Sequence, residues 1–239
     1  MTDSPIVLLF DVETTGAGDN AQIIEAAFGI IDPTRPPLEA TDSTIPFALR
    51  NERFKPSVPI ELGAMAVHHI IEEDLETCRP SAEFALPPNV ALLVGHNIDF
   101  DWKMAGKPNI KRICTLALAR KVWPSLDAHT LGAVIYSLFP HRQAQDLLRD
   151  AHAASVDIVN LMHVLRACCA ALQPQTWNEL WHMSEEARVP EIITFGKYKA
   201  NPGDPPTKIV DLPRDYREWM LRQPDMDEYM KIAVRRSFE

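Results

Sequence analysis

Residues 6–10, Ile-Val-Leu-Leu-Phe, form an unbroken apolar run that stops at Asp11, and Gln22 to Ile31 is a second such stretch, rich in Ile and Ala with Glu25 inside it. Continuous apolar runs of this length, bounded by turn residues, predict buried strands. Thr-Gly-Ala-Gly between them predicts a hairpin. Ala91 to Val94 predicts a further buried strand, and Ser43 to Leu49 an edge strand within a proline-bearing loop that runs to Pro59. Phe100 to Ala105, Thr115 to Val122, Ala128 to Leu138 and Asp150 to Leu172 have helical spacing; the last carries Val156, Val159, Leu161, Met162 and Leu165 at core positions. Strands first and helices later predict an α/β fold, a mixed β-sheet flanked by helices. No internal repeat is present.

At 239 residues the chain is long enough for one large domain, or one domain with a small appendage. Its 46% hydrophobic and 24% charged residues exclude a disordered chain. The charge is unevenly spread. Residues 1–187 carry 14 basic and 24 acidic side chains, whereas the last 52 carry 10 and 9. We therefore expect a domain over 1–172, a linker over 173–187 opened by Gln173-Pro174-Gln175, and a small C-terminal α+β module over 188–239. No apolar run approaches the roughly 18–20 residues of a bilayer span, and Met1 to Pro5 is too short and too acidic for a signal peptide. A cytoplasmic protein without a membrane partner is the expectation. Cys78, Cys114, Cys168 and Cys169 form no CxxC pair, which predicts reduced thiols. A net charge of −9 argues against broad electrostatic attachment to nucleic acid, so a phosphate partner must be held locally.

Three short motifs could hold it. In Phe10-Asp11-Val12-Glu13-Thr14-Thr15-Gly16, two carboxylates two residues apart share one face of a strand and can ligate one metal. The small residues that follow let backbone amides approach a bound nucleotide. Gly95-His96-Asn97-Ile98-Asp99-Phe100-Asp101 lies where a buried strand passes into a helix; Asp101 is the expected ligand, with Asp99 as competitor or helix cap. His152 and Asp157 stand in an H-x4-D arrangement at the start of the long helix. Gly196-Lys197 is not a phosphate-binding P-loop, because no glycine lies five residues earlier and Tyr198 stands where Ser or Thr is needed.

Taken together, the three motifs resemble the DEDDh group of 3′-to-5′ exonucleases, the DnaQ-like family on the ribonuclease H-like fold. The resemblance covers about residues 5–172. Ala64 to Ile70 is similar to the family's segment around a substrate-contacting His, with His69 where many relatives have Gly, and Ile113 to Arg120 is similar to a third family stretch. Ile193 to Lys199, Asp211 to Pro213, Tyr216 and Trp219 resemble the C-terminal module of exodeoxyribonuclease X-like members.

What the resemblance implies is concrete. Asp11, Glu13, Asp101 and Asp157 would bind two divalent cations, Mg²⁺ or Mn²⁺, and His152 would be the general base. Thr14, Thr15, His68 and Asn97 would help seat the terminal nucleotide. The implied activity is 3′-to-5′ hydrolysis of DNA to mononucleotides, on single strands or 3′ ends, with a possible replication or repair partner for the C-terminal module. Three alternatives stay open: a proofreading subunit, an RNA-trimming exoribonuclease of the same fold, or a non-catalytic nucleic-acid-binding module. In the tail, basic residues interleaved with Tyr216 and Trp219 either grip a single strand or surround a small core.

Overall fold

The computed structural model describes residues 4–42, 48–149, 154–201 and 203–239. It divides into two compact units, residues 1–184 and 185–239.

In the first unit, strands β1 (Ile6–Thr14) and β2 (Ile23–Ile31) pair antiparallel, as the apolar runs require. A short helix α1 (Pro37–Ala40) follows, then β3 (Ala48–Lys55), α2 (Leu62–His68), β4 (Arg79–Pro80) and β5 (Val90–Gly95). The chain continues through α3 (Asp99–Met104), β6 (Lys111–Cys114), α4 (Thr115–Val122), α5 (Leu131–Leu138), α6 (His141–Leu147), α7 (Ala154–Leu172) and α8 (Trp177–Arg188), whose last four residues fall in the second unit. Among the described residues the sheet has six strands in the order β4-β3-β2-β1-β5-β6. β1 runs parallel to β5 and β5 parallel to β6, while β2 is antiparallel to both of its neighbours, so the sheet is mixed.

β1 and β2 sit at the centre, and Leu8, Leu9, Phe10 and Ile24 are fully buried. α7 packs against β1, β2, α4 and α5. By length and composition α7 could cross a membrane. Here it is the helix that covers the sheet, with Ile158, Leu161, Val164, Leu165, Cys168 and Cys169 buried along it. All four cysteines are free thiols.

Two expectations need correction. Of the stretch expected as an edge strand, residues 43–47 lie outside the described residues, and the strand there runs on from Ala48 to Lys55 where a loop was expected. Only Phe54 of β3 is buried, so no alternation marks the strand in the sequence. Residues 173–187 are not a plain linker, because α8 occupies most of them. Thr176 Oγ1 accepts from Glu179 N at 3.1 Å and Glu179 Oε2 from Gln175 N at 2.8 Å, two bonds that close the first turn and restart the helix after Pro174. Trp177, Leu180 and Ser184 bury one face; Trp177 Nε1 donates to Arg35 O and Ser184 Oγ accepts from Cys114 N at 2.8 Å.

The second unit contains α9 (Arg214–Arg222) and α10 (Glu228–Arg236) around a core of Ile193, Ile209, Leu212, Met220, Met230, Ala233 and Val234. Its β component among the described residues is a single antiparallel bridge, Ile192 to Lys208.

Candidate active site

Strand alternation puts Asp11 and Glu13 on one face of β1, and α7 crosses that face. Asp157, in the first turn of α7, reaches the same point. One carboxylate oxygen from each of Asp11, Glu13 and Asp157 lies within 4.8 Å of the others. Asp101 approaches from α3, where its buried carboxylate Oδ1 accepts from Val12 N at 3.0 Å, between the two β1 acids. Asp99 is turned to other work, since it forms an ion pair with Arg112.

Gly95 ends β5 in a crowded position just before the turn into α3. A Cβ there would stand 2.6 Å from Ile98 Cδ1 and 3.0 Å from Phe10 O, so a side chain at this position would press on that turn and on β1. Asn97, exposed in the following turn, has a left-handed backbone at φ 68° and accepts from Phe100 N through its carbonyl.

Acids gathered in this way repel one another. Burial, reinforced by Asp157 and Glu25, pushes Asp11 up to about 8. Burial, then Asp11, Asp157 and Glu25, pushes Glu13 up to about 9. Asp101 is raised well above the usual carboxylate range by burial and then Asp11, against the lowering effect of its hydrogen bond from Val12. Hard oxygen ligands in so tight a group fit a divalent cation, whose charge relieves the repulsion.

Of the residues expected to seat a nucleotide, Thr14, Thr15 and His68 have side chains engaged within the protein. Thr14 Oγ1 donates to Gly16 O at 2.7 Å, and Thr15 Oγ1 accepts from Gln22 N at 3.0 Å. His68 Nδ1 accepts from Ile70 N, which leaves Nε2–H to donate to Thr14 O at 3.2 Å. Burial lowers the His68 pKa, consistent with a neutral ring that braces the loop. His69 takes a left-handed φ of 58° at the end of α2, the conformation that favours Gly. His152 lies outside the described residues.

Glu25 belongs to this group, and its role was not read from the sequence. It stands opposite Glu13 in the β1–β2 register and is only 1% exposed. Glu25 Oε1 accepts from Arg53 Nε at 2.7 Å and Asn51 Nδ2 at 3.1 Å, while Oε2 accepts from Ala154 N at 3.2 Å. It thus satisfies a free amide at the start of α7, where negative charge also suits the helix dipole. Its signal in the sequence was an acid inside an otherwise apolar strand.

No protein-family model matches the chain. Among curated proteins it is similar to exodeoxyribonuclease 10 of Escherichia coli strain K12, with 24% identity over 199 residues, 77% of this chain and 82% of that protein. The chain resembles the DnaQ-like exonucleases. Among solved structures, exonuclease X in complex with 5′-overhanging duplex DNA matches with a TM-score of 0.50 at 19% identity, over 73% of this chain and 99% of that one. The zinc-bound complex of E. coli exonuclease I with single-stranded DNA gives 0.53 at 14% identity, over 75% and 42%. The DnaQ-like resemblance thus extends to the fold, which is ribonuclease H-like.

Proposed function

We propose that the chain is a divalent-metal-dependent 3′-to-5′ exodeoxyribonuclease that releases mononucleotides. The observation that carries this reading is the convergence of Asp11, Glu13 and Asp157, with Asp101 behind them, in a chain similar to exodeoxyribonuclease 10. Asp11, Glu13, Asp101 and Asp157 would hold two Mg²⁺ or Mn²⁺ ions. Bound there, the ions would lower the pKa of a water and offset the charge of the scissile phosphate.

The remaining roles fall to the chain itself. His152 takes the proton of the attacking water, whose oxygen bonds to phosphorus as the bond to the 3′ oxygen of the shortened strand breaks, and that oxygen takes a proton from solvent to become the new 3′-hydroxyl. The backbone from Glu13 to Gly16, braced by His68 and by the hydroxyls of Thr14 and Thr15, seats the terminal nucleotide. Asn97, exposed where β5 enters α3, supplies a further polar contact. Glu25 positions Asp157 by fixing the first turn of α7.

The test is nucleotide release from matched single-stranded DNA and RNA with Mg²⁺, Mn²⁺ or EDTA, using the native chain and the Asp11→Asn and His152→Ala variants. Metal-dependent release from DNA, lost in EDTA and cut by a hundredfold or more in either variant, is expected. Release that persists in EDTA, or in both variants, would overturn the reading.

A further inference from the structure

The second unit arranges three aromatic rings in a row. Tyr198 meets Tyr216 edge-on with centroids 4.6 Å apart, and Tyr216 stacks on Trp219 at 5.2 Å with 23° between the planes. The two tyrosine rings pack against the small core, and Trp219 is 43% exposed. Met220, beside it on α9, is the residue that fills the core. Trp219 is therefore a large flat ring held in place by its neighbour and open to solvent.

Basic residues flank this row. Lys197 Nζ lies 4.8 Å from the Tyr198 ring centroid and 5.5 Å from that of Tyr216, and Lys199 is exposed one residue beyond Tyr198. Arg222, three residues after Trp219, shares its side of α9 and is also exposed. Among the described residues, none of these three forms an ion pair, whereas Arg214, Lys231 and Arg236 pair with Glu218, Glu228 and Glu186. Lys208 and Arg235 are likewise exposed and without an ion pair among the described residues, but Lys197, Lys199 and Arg222 are the ones next to the rings along the chain.

From this geometry we propose that the C-terminal unit is a docking surface for single-stranded DNA. A base stacks on the open face of Trp219, and the neighbouring phosphates meet Lys197, Lys199 and Arg222. A duplex keeps its base faces covered and cannot stack in this way; a single strand offers them with one phosphate per base. The proposal rests on the nuclease reading for its choice of DNA, and it adds a contact remote from the chemistry.

The probe is a fluorescent circular single strand of roughly forty thymidines, longer than the ~4–16-nucleotide sites of single-strand binders. Having no 3′ end to seat or digest, it reports on this surface separately from the nuclease reading. Its affinity for the full chain in Mg²⁺ at low salt is measured by anisotropy. Trp219→Ala is expected to weaken binding by about fivefold or more, Trp219→Phe to retain most of it, and Lys197→Ala to weaken it and flatten its salt dependence. No binding by the native chain, or equal binding by Trp219→Ala and Lys197→Ala, would overturn the proposal and leave this face to another occupant.

Discussion

Glu25 and Arg53 face each other across β2 and β3, and Arg53 Nε donates to Glu25 Oε1 at 2.7 Å, with the Glu25 side chain buried and the Arg53 side chain 42% exposed. The pair extends a row across three strands, because Glu25 also stands opposite Glu13. Like charges directly opposed in a sheet are unfavourable, and Arg53 supplies the compensating charge on the far side. Through Ala154 N, the same carboxylate ties the sheet to the start of α7, and hence to Asp157.

Glu25→Ala removes three hydrogen bonds and leaves the Ala154 amide without this acceptor. We expect a loss of about 2–3 kcal/mol, read as a melting temperature lower by roughly 5–10 °C. Glu25→Gln, which keeps an acceptor for Arg53, should lose about half as much. An unchanged melting temperature for Glu25→Ala would mean that α7 is anchored by other contacts.

The raised carboxyl groups predict an unusual pH dependence for metal-free protein. An acid whose folded pKa lies above its unfolded value holds a proton preferentially when folded, so its contribution is lost as pH rises through the folded pKa. With unfolded values near 4 and folded values of about 8 for Asp11 and about 9 for Glu13, stability in EDTA should fall between about pH 4 and pH 9. A divalent cation binds the ionised form, so the rise in melting temperature on adding Mg²⁺ should grow with pH. Differential scanning fluorimetry across that range checks both; a Mg²⁺ effect that shrinks as pH rises contradicts the assignment.

Asp99 and Asp101 lie two residues apart and face different tasks. Asp101→Asn should reduce DNA hydrolysis by a hundredfold or more while leaving the fold intact, because the amide keeps the Oδ1 that accepts from Val12 N. Asp99→Asn breaks an ion pair with Arg112 and should change hydrolysis only a few-fold. The reverse ranking would place the ligand at Asp99.

Gly95→Ala tests the close approach of β5 to β1. The added methyl meets Ile98 and the Phe10 carbonyl, so the turn carrying Asp101 must move. A cost of about 1–3 kcal/mol is expected, with hydrolysis lowered further than stability alone explains. A variant with native stability and native rates would show that the turn absorbs the methyl elsewhere.

Much of this site was legible because it depends on local geometry. The two-residue period of a strand puts Asp11 and Glu13 on one face whatever the rest of the chain does, and the apolar runs on either side identify the strands. Glu25 carried a weaker signal, since its partners Asn51, Arg53 and Ala154 come from β3 and α7. β3 itself left little trace, because a strand with one buried residue shows no alternation. α8 was hidden by Pro174, which ends one helix without preventing Thr176 from capping the next.

The most direct test of the central claim is a time course on one single-stranded DNA labelled at its 5′ end in one sample and its 3′ end in another, with Mg²⁺ present. If the Asp11, Glu13, Asp101 and Asp157 group removes nucleotides from 3′ ends, the 5′ label will pass through a descending ladder while the 3′ label leaves at once as a mononucleotide. A 5′ label released first, or internal cuts that free both labels on long fragments, would contradict it.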